Sequence, residues 1–301
     1  MNGVLIIDKP AGLTSHDVVN RVRRILGQRS VGHLGTLDPL ATGVLPLVIG
    51  NLTRLAQFYT TSEKVYEGVI RFGFATDTYD ADGDPATAPE SVEVTLEQCR
   101  ELAARFQGII EQMPPPFSAK KIHGIPAYKL ARKHKEVPLT PVQVEIKEFE
   151  ILAVDRDGAT FRARVASGTY MRSVAHEMGQ KLGCGAHLAS LRRTALGEFD
   201  LAEAHSIDEV DSATKAQQLE NVFVHPRKLL PQFPSVTAND EMAARIRSGR
   251  TVNLPELSRA KQVKVFYGQR ELIAIATRVA GTLFHPKIVL ATTEPQLARK
   301  T

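Results

Sequence analysis

The densest chemical signal in the sequence is segment 32–43, GHLGTLDPLATG, in which three glycines, a proline and two threonines surround one histidine and one aspartate. Glycine and proline at this density indicate a loop with special backbone geometry, and functional side chains concentrate in such loops. Asp38 could act there as a nucleophile or a general base. It could equally cap an Asx turn before Pro39, which is a purely structural role.

A second signal is segment 167–173, SGTYMRS, which joins a predicted strand to a predicted helix. Arg172 would lie in the first turn of that helix, where the helix dipole disfavours a cation. A partner carboxylate would offset this cost, and Asp38 is a candidate because an arginine beside it would keep it ionised and aimed. The alternative is an ordinary surface arginine.

Patterns typical of metal and nucleotide sites are incomplete in this chain. The acidic segment 77–84 has aspartates at the spacing of a calcium loop, but its glycine is misplaced and no glutamate closes the frame. A solvated acidic turn is expected there. His176 and Glu177 lack the second histidine of a zinc-protease motif, and no phosphate-binding or dinucleotide fingerprint occurs. The sequence therefore predicts neither a metal nor a cofactor.

Length and composition indicate a soluble globular protein. The chain has 301 residues, 43% of them hydrophobic and 24% charged, enough for one large domain or a large and a small one. Its apolar runs are far shorter than the ~20 residues of a membrane helix, and we find no secretory signal pattern. Cys99 and Cys184 lack metal-ligand spacing and are predicted to be reduced core thiols. We therefore expect a cytoplasmic protein that binds no membrane.

Positive charge is unevenly distributed along the chain. Residues 231–301 hold 11 Lys and Arg against 5 Asp and Glu, whereas residues 1–230 hold 27 against 28. A second basic segment without any acid contains Lys120, Lys121, Lys129, Arg132, Lys133 and Lys135. Such asymmetry points to a polyanionic partner such as nucleic acid. On charge alone, a solvated surface remains equally open.

Hydrophobic periodicity and turn residues predict the elements that position these signals. The predicted helices are 15–27, 51–59 (short and capped), 95–106, 127–133, 170–182 and 240–248. The predicted strands are 44–49, 65–72, 143–151, 159–166, 263–267, 272–277 and 283–290. Pro46 implies an irregularity or a sheet edge in the first of them. Strands and helices without a regular βαβ rhythm favour an α+β fold, with a small β-rich module at the end of the chain.

Several segments, in order, resemble the TruB family of tRNA pseudouridine-55 synthases. Segment 32–47, GHLGTLDPLATGVLPL, resembles the catalytic motif of that family. The other matching segments are 8–15, 64–66, 75–83, 114–121, 127–132, 168–173 and 191–194. The resemblance covers about residues 3–230, with one departure where Lys133 replaces a usual glycine. It implies a pseudouridine synthase catalytic domain, 1–230, with a basic RNA-binding insert at about 113–140. Segment 231–301 is similar to the small PUA-type RNA-binding domain of the family.

The resemblance also implies an activity and residue roles. Asp38 would be the catalytic aspartate that isomerises uridine 55 in the T loop of tRNA. Tyr66 would stack on the flipped uracil and lie close enough for proton transfer at C5, and Arg172 would pair with Asp38. His33 would fill the space that the uridine leaves. The other implied residues line the pocket (Tyr170, Leu191) or bind or support RNA (Lys9, Lys64, Lys120, Lys121, Arg132). No cofactor or metal is implied, and the partner is the T arm of tRNA, bound by a monomer.

Two other classes of function fit parts of the sequence. A non-catalytic RNA-binding or RNA-chaperone protein could keep the same fold, but a degenerate member would be expected to have lost Asp38, Tyr66 or Arg172. A hydrolase could use Asp38 as its nucleophile, but the second carboxylate that glycoside hydrolases normally need is not recognisable. The sequence leaves open whether Asp38 attacks C1′, attacks C6 or deprotonates C2′.

Overall fold

The computed structural model describes residues 1–117 and 139–290, together with the backbone of 121–122 and 125–126. Lys120, Arg132, the side chain of Lys121 and the predicted helix 127–133 lie outside the described residues. The described chain combines helices with a nine-stranded mixed sheet and a separate five-stranded sheet, which confirms the predicted α+β fold.

The larger sheet forms the centre of the fold. Its strands are β1 (Gly3–Lys9), β2 (Val31–His33), β3 (Thr42–Ile49), β4 (Lys64–Phe72), β5 (Gly108–Gln112), β8 (Val142–Asp155), β9 (Gly158–Val165), β10 (Ala186–Leu196) and β11 (Phe199–Asp200). They run in the order β1-β3-β10-β4-β9-β8-β5, with β2 beside β3 and β11 beside β10. All neighbours are antiparallel except β3 and β10. The short strands β6 (Lys121–Ile122) and β7 (Ile125–Pro126) pair with each other.

Helices cover this sheet and connect its strands. The α-helices are α1 (Ser15–Leu26), α2 (Leu96–Ala104), α3 (Met171–Leu182), α4 (Ile207–Lys215) and α5 (Asp240–Arg247). Short 3₁₀ helices lie at Gly50–Phe58, Leu201–Glu203, Leu219–Asn221, Pro226–Lys228 and Pro255–Leu257. Among the described residues, no helix has both the length and the apolar character needed to cross a bilayer.

Local capping signals account for where the helices begin and end. α1 begins after Thr14, whose side chain forms a capping box with Asp17, and it ends at Gly27 in the left-handed conformation with φ 59°. α2 begins with the predicted capping box of Thr95 and Gln98. The short helix predicted at 51–59 is found as a 3₁₀ helix at Gly50–Phe58, but the predicted cap was wrong, because the helix follows directly on β3 without a side-chain cap.

Pro46 lies inside β3 where the strand changes its second neighbour. On one side β3 pairs along its length with β1, and Pro46 lies opposite Ile6. On the other side β10 pairs with Thr42 and Gly43, and β2 pairs from Leu47 onward. A residue without an N–H is tolerated in the gap between these two neighbours. The predicted irregularity is confirmed, whereas the alternative of an edge strand is wrong.

The five-stranded sheet near the end of the chain packs against the larger one. It runs in the order β12 (Ser235–Ala238), β14 (Gln262–Tyr267), β15 (Glu271–Ala280), β16 (Leu283–Val289), β13 (Val252–Asn253). Phe266, Ile275 and Leu290 share one buried cluster with Ile6 and Leu55. Because this cluster spans both sheets, the two parts stabilise each other.

A buried lysine ties the two parts together as well. Lys264 of β14 is buried, and its Nζ donates hydrogen bonds to the carbonyls of Arg227 (3.1 Å) and Leu229 (2.7 Å). The guanidinium of Arg227 lies over the ring of Phe266, 4.4 Å from its centre. One of the basic residues of segment 231–301 therefore has a structural role and is unavailable to a ligand.

Candidate active site

The two chemical signals of the sequence meet at one pocket of about 240 Å³. The 34–41 loop before β3, the beginning of β4, the middle of β10, and the start of α3 with the loop before it surround the pocket. Its lining residues are Thr36, Leu37, Asp38, Lys64, Tyr66, Gly168, Thr169, Tyr170, Met171, Arg172 and Leu191. The fold therefore gathers Asp38, Lys64, Tyr66, Tyr170, Arg172 and Leu191, which the sequence analysis singled out.

The loop that carries Asp38 is held from below by two buried side chains. Ser15 Oγ accepts from the N–H of Leu37 (2.8 Å) and donates to its carbonyl (3.1 Å). Lys9 is fully buried, and its Nζ donates to the carbonyls of Pro10 (2.8 Å) and Pro39 (3.3 Å). These bonds leave the loop little freedom, and they give Lys9 a supporting position under the loop rather than one at the surface.

The carboxylate of Asp38 does not form the Asx turn that the sequence left open. The turn is closed by backbone groups instead, since the N–H of Ala41 donates to the carbonyl of Asp38 (3.1 Å). The side chain of Asp38 keeps 39% of its surface exposed and faces the Nε of Arg172 at 3.0 Å. It is therefore free to meet a ligand in the pocket.

Arg172 is held by four oxygen atoms. Its Nη1 lies 3.3 Å from Asp80 Oδ2 and donates to the carbonyl of Thr78 (3.2 Å), and its Nη2 donates to the carbonyl of Phe117 (2.9 Å). With Asp38 on Nε, this leaves the side chain only 7% exposed. Because the guanidinium is fixed on all sides, it holds the Asp38 carboxylate in one orientation, which a flexible ammonium group would not do.

The acidic turn is not simply solvated, so that expectation was wrong for Asp80. Only 4% of Asp80 is exposed. Its Oδ1 accepts from Thr78 Oγ1 (2.6 Å) and from the N–H of Asp82 (3.2 Å), while Oδ2 faces Arg172. Spacing within the turn gave no sign of this burial, because the cation that allows it comes from a distant helix.

Burial raises the pKa of Asp38 above that of an ordinary carboxyl group. The charge of Arg172 opposes this shift, and Lys9 opposes it more weakly, whereas Asp80 adds to it because two carboxylates share one guanidinium. Ionised Asp38 is consequently more basic than a carboxylate in water. That property suits a group that must attack carbon or accept a proton.

Tyr66 and Lys64 lie on the same face of β4, two residues apart. Tyr66 is 6% exposed, and burial raises its pKa while the neighbouring cation of Arg193 opposes the rise. Lys64 Nζ donates to the carbonyl of Ser62 (3.0 Å), and burial, with a contribution from Arg193, lowers its pKa to about 8. The pocket thus places an aromatic ring and a cation beside the carboxylate.

Tyr170 is positioned through its backbone by a buried amide. The N–H of Tyr170 donates to Gln112 Oε1 (2.8 Å), and Gln112 Nε2 donates to the carbonyl of Tyr170 (3.1 Å). Gln112 is fully buried. It was missed in the sequence because nothing near it in the chain indicates chemistry.

His33, which the sequence also singled out, does not line the pocket. His33 lies in β2 and is half-buried, and its Nδ1 is buried without a hydrogen-bond partner within the described structure. Burial lowers the pKa of His33, so a neutral imidazole is favoured. Lys120, Arg132 and the side chain of Lys121 lie outside the described residues.

Known proteins are similar in sequence to this chain over nearly its whole length. Residues 23–171 match the TruB family pseudouridylate synthase (N terminal domain), and residues 172–230 match the tRNA pseudouridylate synthase B C-terminal domain. The tRNA pseudouridine synthase B of Solibacter usitatus is 50% identical over 293 residues, which cover 96% of this chain and 100% of the relative. That of Aquifex aeolicus is 39% identical, with the same coverage.

Solved structures show the same fold. A Cbf5-Nop10-Gar1 complex contains a chain that is 26% identical and superposes with a TM-score of 0.68, covering 93% of this chain and 79% of that one. The archaeal box H/ACA sRNP Nop10-Cbf5 complex gives the same TM-score at 24% identity, over 96% of this chain and 86% of that one.

Proposed function

Because this chain belongs to the TruB family of pseudouridylate synthases, we propose that it converts uridine 55 in the T loop of tRNA to pseudouridine, with Asp38 as the catalytic carboxylate. The observation that carries this proposal is the Asp38 carboxylate, exposed to a pocket and fixed by Arg172 at 3.0 Å beside the buried ring of Tyr66. The relatives named tRNA pseudouridine synthase B supply the substrate class.

The reaction matches the groups in the pocket. It breaks the C1′–N1 bond, turns the uracil and forms a C1′–C5 bond, so that nothing is oxidised and no group is imported. A carboxylate at Asp38 can attack C1′ or C6, or take a proton from C2′, and can stabilise charge that develops on the sugar. The hydrogen lost from C5 is balanced by the one gained at N1.

The target nucleotide must leave its stack before it reaches Asp38. Flipping a base out costs a few kcal/mol, and stacking on an aromatic side chain offsets part of that cost. Tyr66 provides such a ring inside the pocket, and Leu191 adds apolar surface. His33 lies outside the pocket, and we propose that it fills the space in the T loop that the flipped uridine leaves.

Release of tritium from tRNA labelled at C5 of uridine tests the proposed activity. Isomerisation at position 55 releases that tritium and leaves the base attached to the RNA. A glycoside hydrolase would release free uracil instead, and a non-catalytic RNA-binding protein would release neither. Mapping of pseudouridine on an unmodified transcript then identifies the position, and a product elsewhere in tRNA would contradict the T-loop assignment.

Tyr66 should serve in proton transfer as well as in stacking. Tyr66→Phe keeps the ring and removes the hydroxyl, so we expect normal tRNA affinity with a single-turnover rate lowered by on the order of a hundredfold, the scale of general acid–base catalysis. Tyr66→Ala should weaken both steps, because it also removes the stacking face. Rates measured with enzyme in excess check this. Equal rates for wild type and Tyr66→Phe would leave stacking as the only role.

We propose that residues 1–230 form the catalytic domain and that 231–301 form a small RNA-binding domain of the PUA type. Its cations divide into two groups. Several are bound within the protein, such as Lys264 and Arg247, whose Nη2 lies 3.1 Å from Glu271. Within the described part of the domain, five exposed cations have side chains without an ion pair or hydrogen bond: Arg250, Arg259, Lys261, Arg270 and Lys287. These five are the candidates for phosphate contacts.

We also propose that the protein works as a monomer in the cytoplasm.

Neutralising those five cations should flatten the salt dependence of tRNA binding. Each phosphate contact that is lost removes up to about 0.9 from the slope of log affinity against log salt. Turnover at saturating tRNA should stay within about tenfold of wild type, because such contacts position the RNA and do no chemistry. Filter binding at several salt concentrations measures the slope.

A matched control neutralises Arg71, Lys147 and Arg164, each of which is paired with a carboxylate. That variant should keep the wild-type slope. Point substitutions are preferable to deleting the domain, because deletion would remove Phe266 and Ile275 and would expose the apolar residues of the larger sheet that they cover. An unchanged slope in the five-residue variant would assign the phosphate contacts to the segment 120–135.

A further inference from the structure

Arg193 is the largest fully buried side chain of the described protein, and it is a neighbour of Thr36 and Tyr66, which line the pocket. It belongs to β10, where it pairs with Tyr66 of β4 on one side of the strand and with Gly43 of β3 on the other. Three strands therefore meet at this residue. A Cβ on Gly43, which has φ 96°, would come within 2.2 Å of the Arg193 carbonyl oxygen, so only glycine allows this close approach.

The guanidinium of Arg193 is fixed by backbone carbonyls. Its Nε donates to Val44 (2.8 Å), its Nη2 to Gly35 (3.0 Å) and its Nη1 to Thr36 (3.3 Å). Gly35 and Thr36 belong to the loop that leads to Asp38, so the same three bonds tie this loop to β3. The position of the guanidinium is thus determined independently of any ligand.

No carboxylate in the described part of the chain lies within ion-pair distance of Arg193. A buried charge without a counterion is costly, and proteins normally pair it. Burial accordingly lowers the pKa of the guanidinium. Backbone carbonyls alone hold the buried cation of Lys264, so what requires an explanation is the place of the Arg193 charge, next to the pocket.

The neighbouring phenol provides that explanation. Arg193 and Tyr66 are cross-strand partners, whose Cβ atoms stand about 5 Å apart in such a pair. The charge of Arg193 opposes the rise in the pKa of Tyr66 that burial causes. A positive charge at this place favours the electron-rich phenol oxygen that proton transfer at C5 requires.

We propose that Arg193 is a positioning residue that acts through Tyr66: the three carbonyls fix the guanidinium, and the guanidinium fixes the hydroxyl of Tyr66 at the pocket. The inference rests on the proposed function, in which that hydroxyl takes part in proton transfer. Arg193 itself does not line the pocket and touches no substrate. It differs from Arg172, which orients the carboxylate.

A double-mutant cycle tests this inference. Arg193→Met removes the cation and should lower the single-turnover rate by about a hundredfold, because the Tyr66 hydroxyl loses the charge that orients it. The Kd for tRNA should stay within about threefold, because Arg193 does not line the pocket. Arg193→Lys keeps a cation and should retain part of the rate. In a Tyr66→Phe background, both substitutions should change the rate by less than about threefold, because the hydroxyl through which they act is already gone.

The matched control is Lys264→Met, which also removes a buried cation that binds backbone carbonyls, but far from the pocket. It should lower the thermal midpoint without any coupling to Tyr66→Phe. An equal loss of rate from the Arg193 substitutions with and without the Tyr66 hydroxyl would overturn the inference. Wild-type protein is measured alongside the variants. If the proposed function is wrong, no sample forms pseudouridine; if only the inference about Arg193 is wrong, wild-type protein still forms it.

A measurement that needs no Arg193 variant guards against variants that fail to fold. Tyr66→Phe takes a partner away from a buried charge, so its thermal midpoint should fall below that of wild type. An unchanged midpoint would mean that the guanidinium does not depend on the hydroxyl and would also overturn the inference.

Discussion

Replacing Asp38 with asparagine is expected to lower turnover by on the order of 10⁴-fold or more, while the affinity for tRNA stays within about tenfold. Asparagine has the size of aspartate but cannot attack carbon or accept a proton. The loop should keep its shape, because Ser15, Lys9 and the Ala41 N–H hold its backbone and not the Asp38 carboxylate. Pseudouridine formation with enzyme in excess, together with tRNA binding, measures both quantities.

Stability provides the control for this variant. Burial raises the folded-state pKa of Asp38, so ionising Asp38 costs folding free energy at every pH above the pKa of the unfolded chain. Asparagine removes that cost, and the thermal midpoint at neutral pH should equal or exceed that of wild type. An inactive but less stable variant would point to a structural fault, and an active variant would remove Asp38 from the chemistry.

Replacing Arg172 with lysine is expected to lower turnover at least about a hundredfold, the scale on which enzymes lose rate when one fixed polar group is removed. Lysine keeps the charge but cannot face Asp38, Asp80 and two carbonyls at once as the guanidinium does. The carboxylate would then lose its fixed orientation. Single-turnover rates give the size of the effect.

The pH dependence of the rate tests the cause of that loss. Arg172 holds the pKa of Asp38 below the value that burial alone would give. Arg172→Met should therefore move the acid limb of the rate profile to higher pH, since ionised Asp38 is the active form. Arg192→Lys is the matched control, because its bidentate pair with Asp8 is about 40% exposed and such pairs contribute roughly 1 kcal/mol or less. If the acid limb of Arg172→Met stays at the pH of wild type, loss of the pair between Asp38 and Arg172 does not cause the loss of rate.

Much of the fold could be predicted because its signals are local. The capping boxes at Thr14 and Thr95 and the left-handed glycine at Gly27 each act within one helical turn, and they place helix ends to within about two residues. Alternation along β4 likewise records which face is buried. The cap predicted for the helix at 51–59 was wrong, because the helix follows directly on β3 and its N-cap residue is Ile49, whose side chain cannot accept a hydrogen bond.

The sequence by itself singled out the side chains to which we assign the chemistry: Asp38 in a glycine-rich loop, Arg172 at a helix start and, through the resemblance to the family, Tyr66 on an alternating strand. Only the tertiary structure decided what supports them. Asp80 is buried because α3 brings a cation to it, and Arg193 is buried because β3, β4 and β10 meet there. Desolvation and ion pairing depend on distances in space, and residues 94 positions apart, such as Thr78 and Arg172, leave no periodic trace of their contact in the chain.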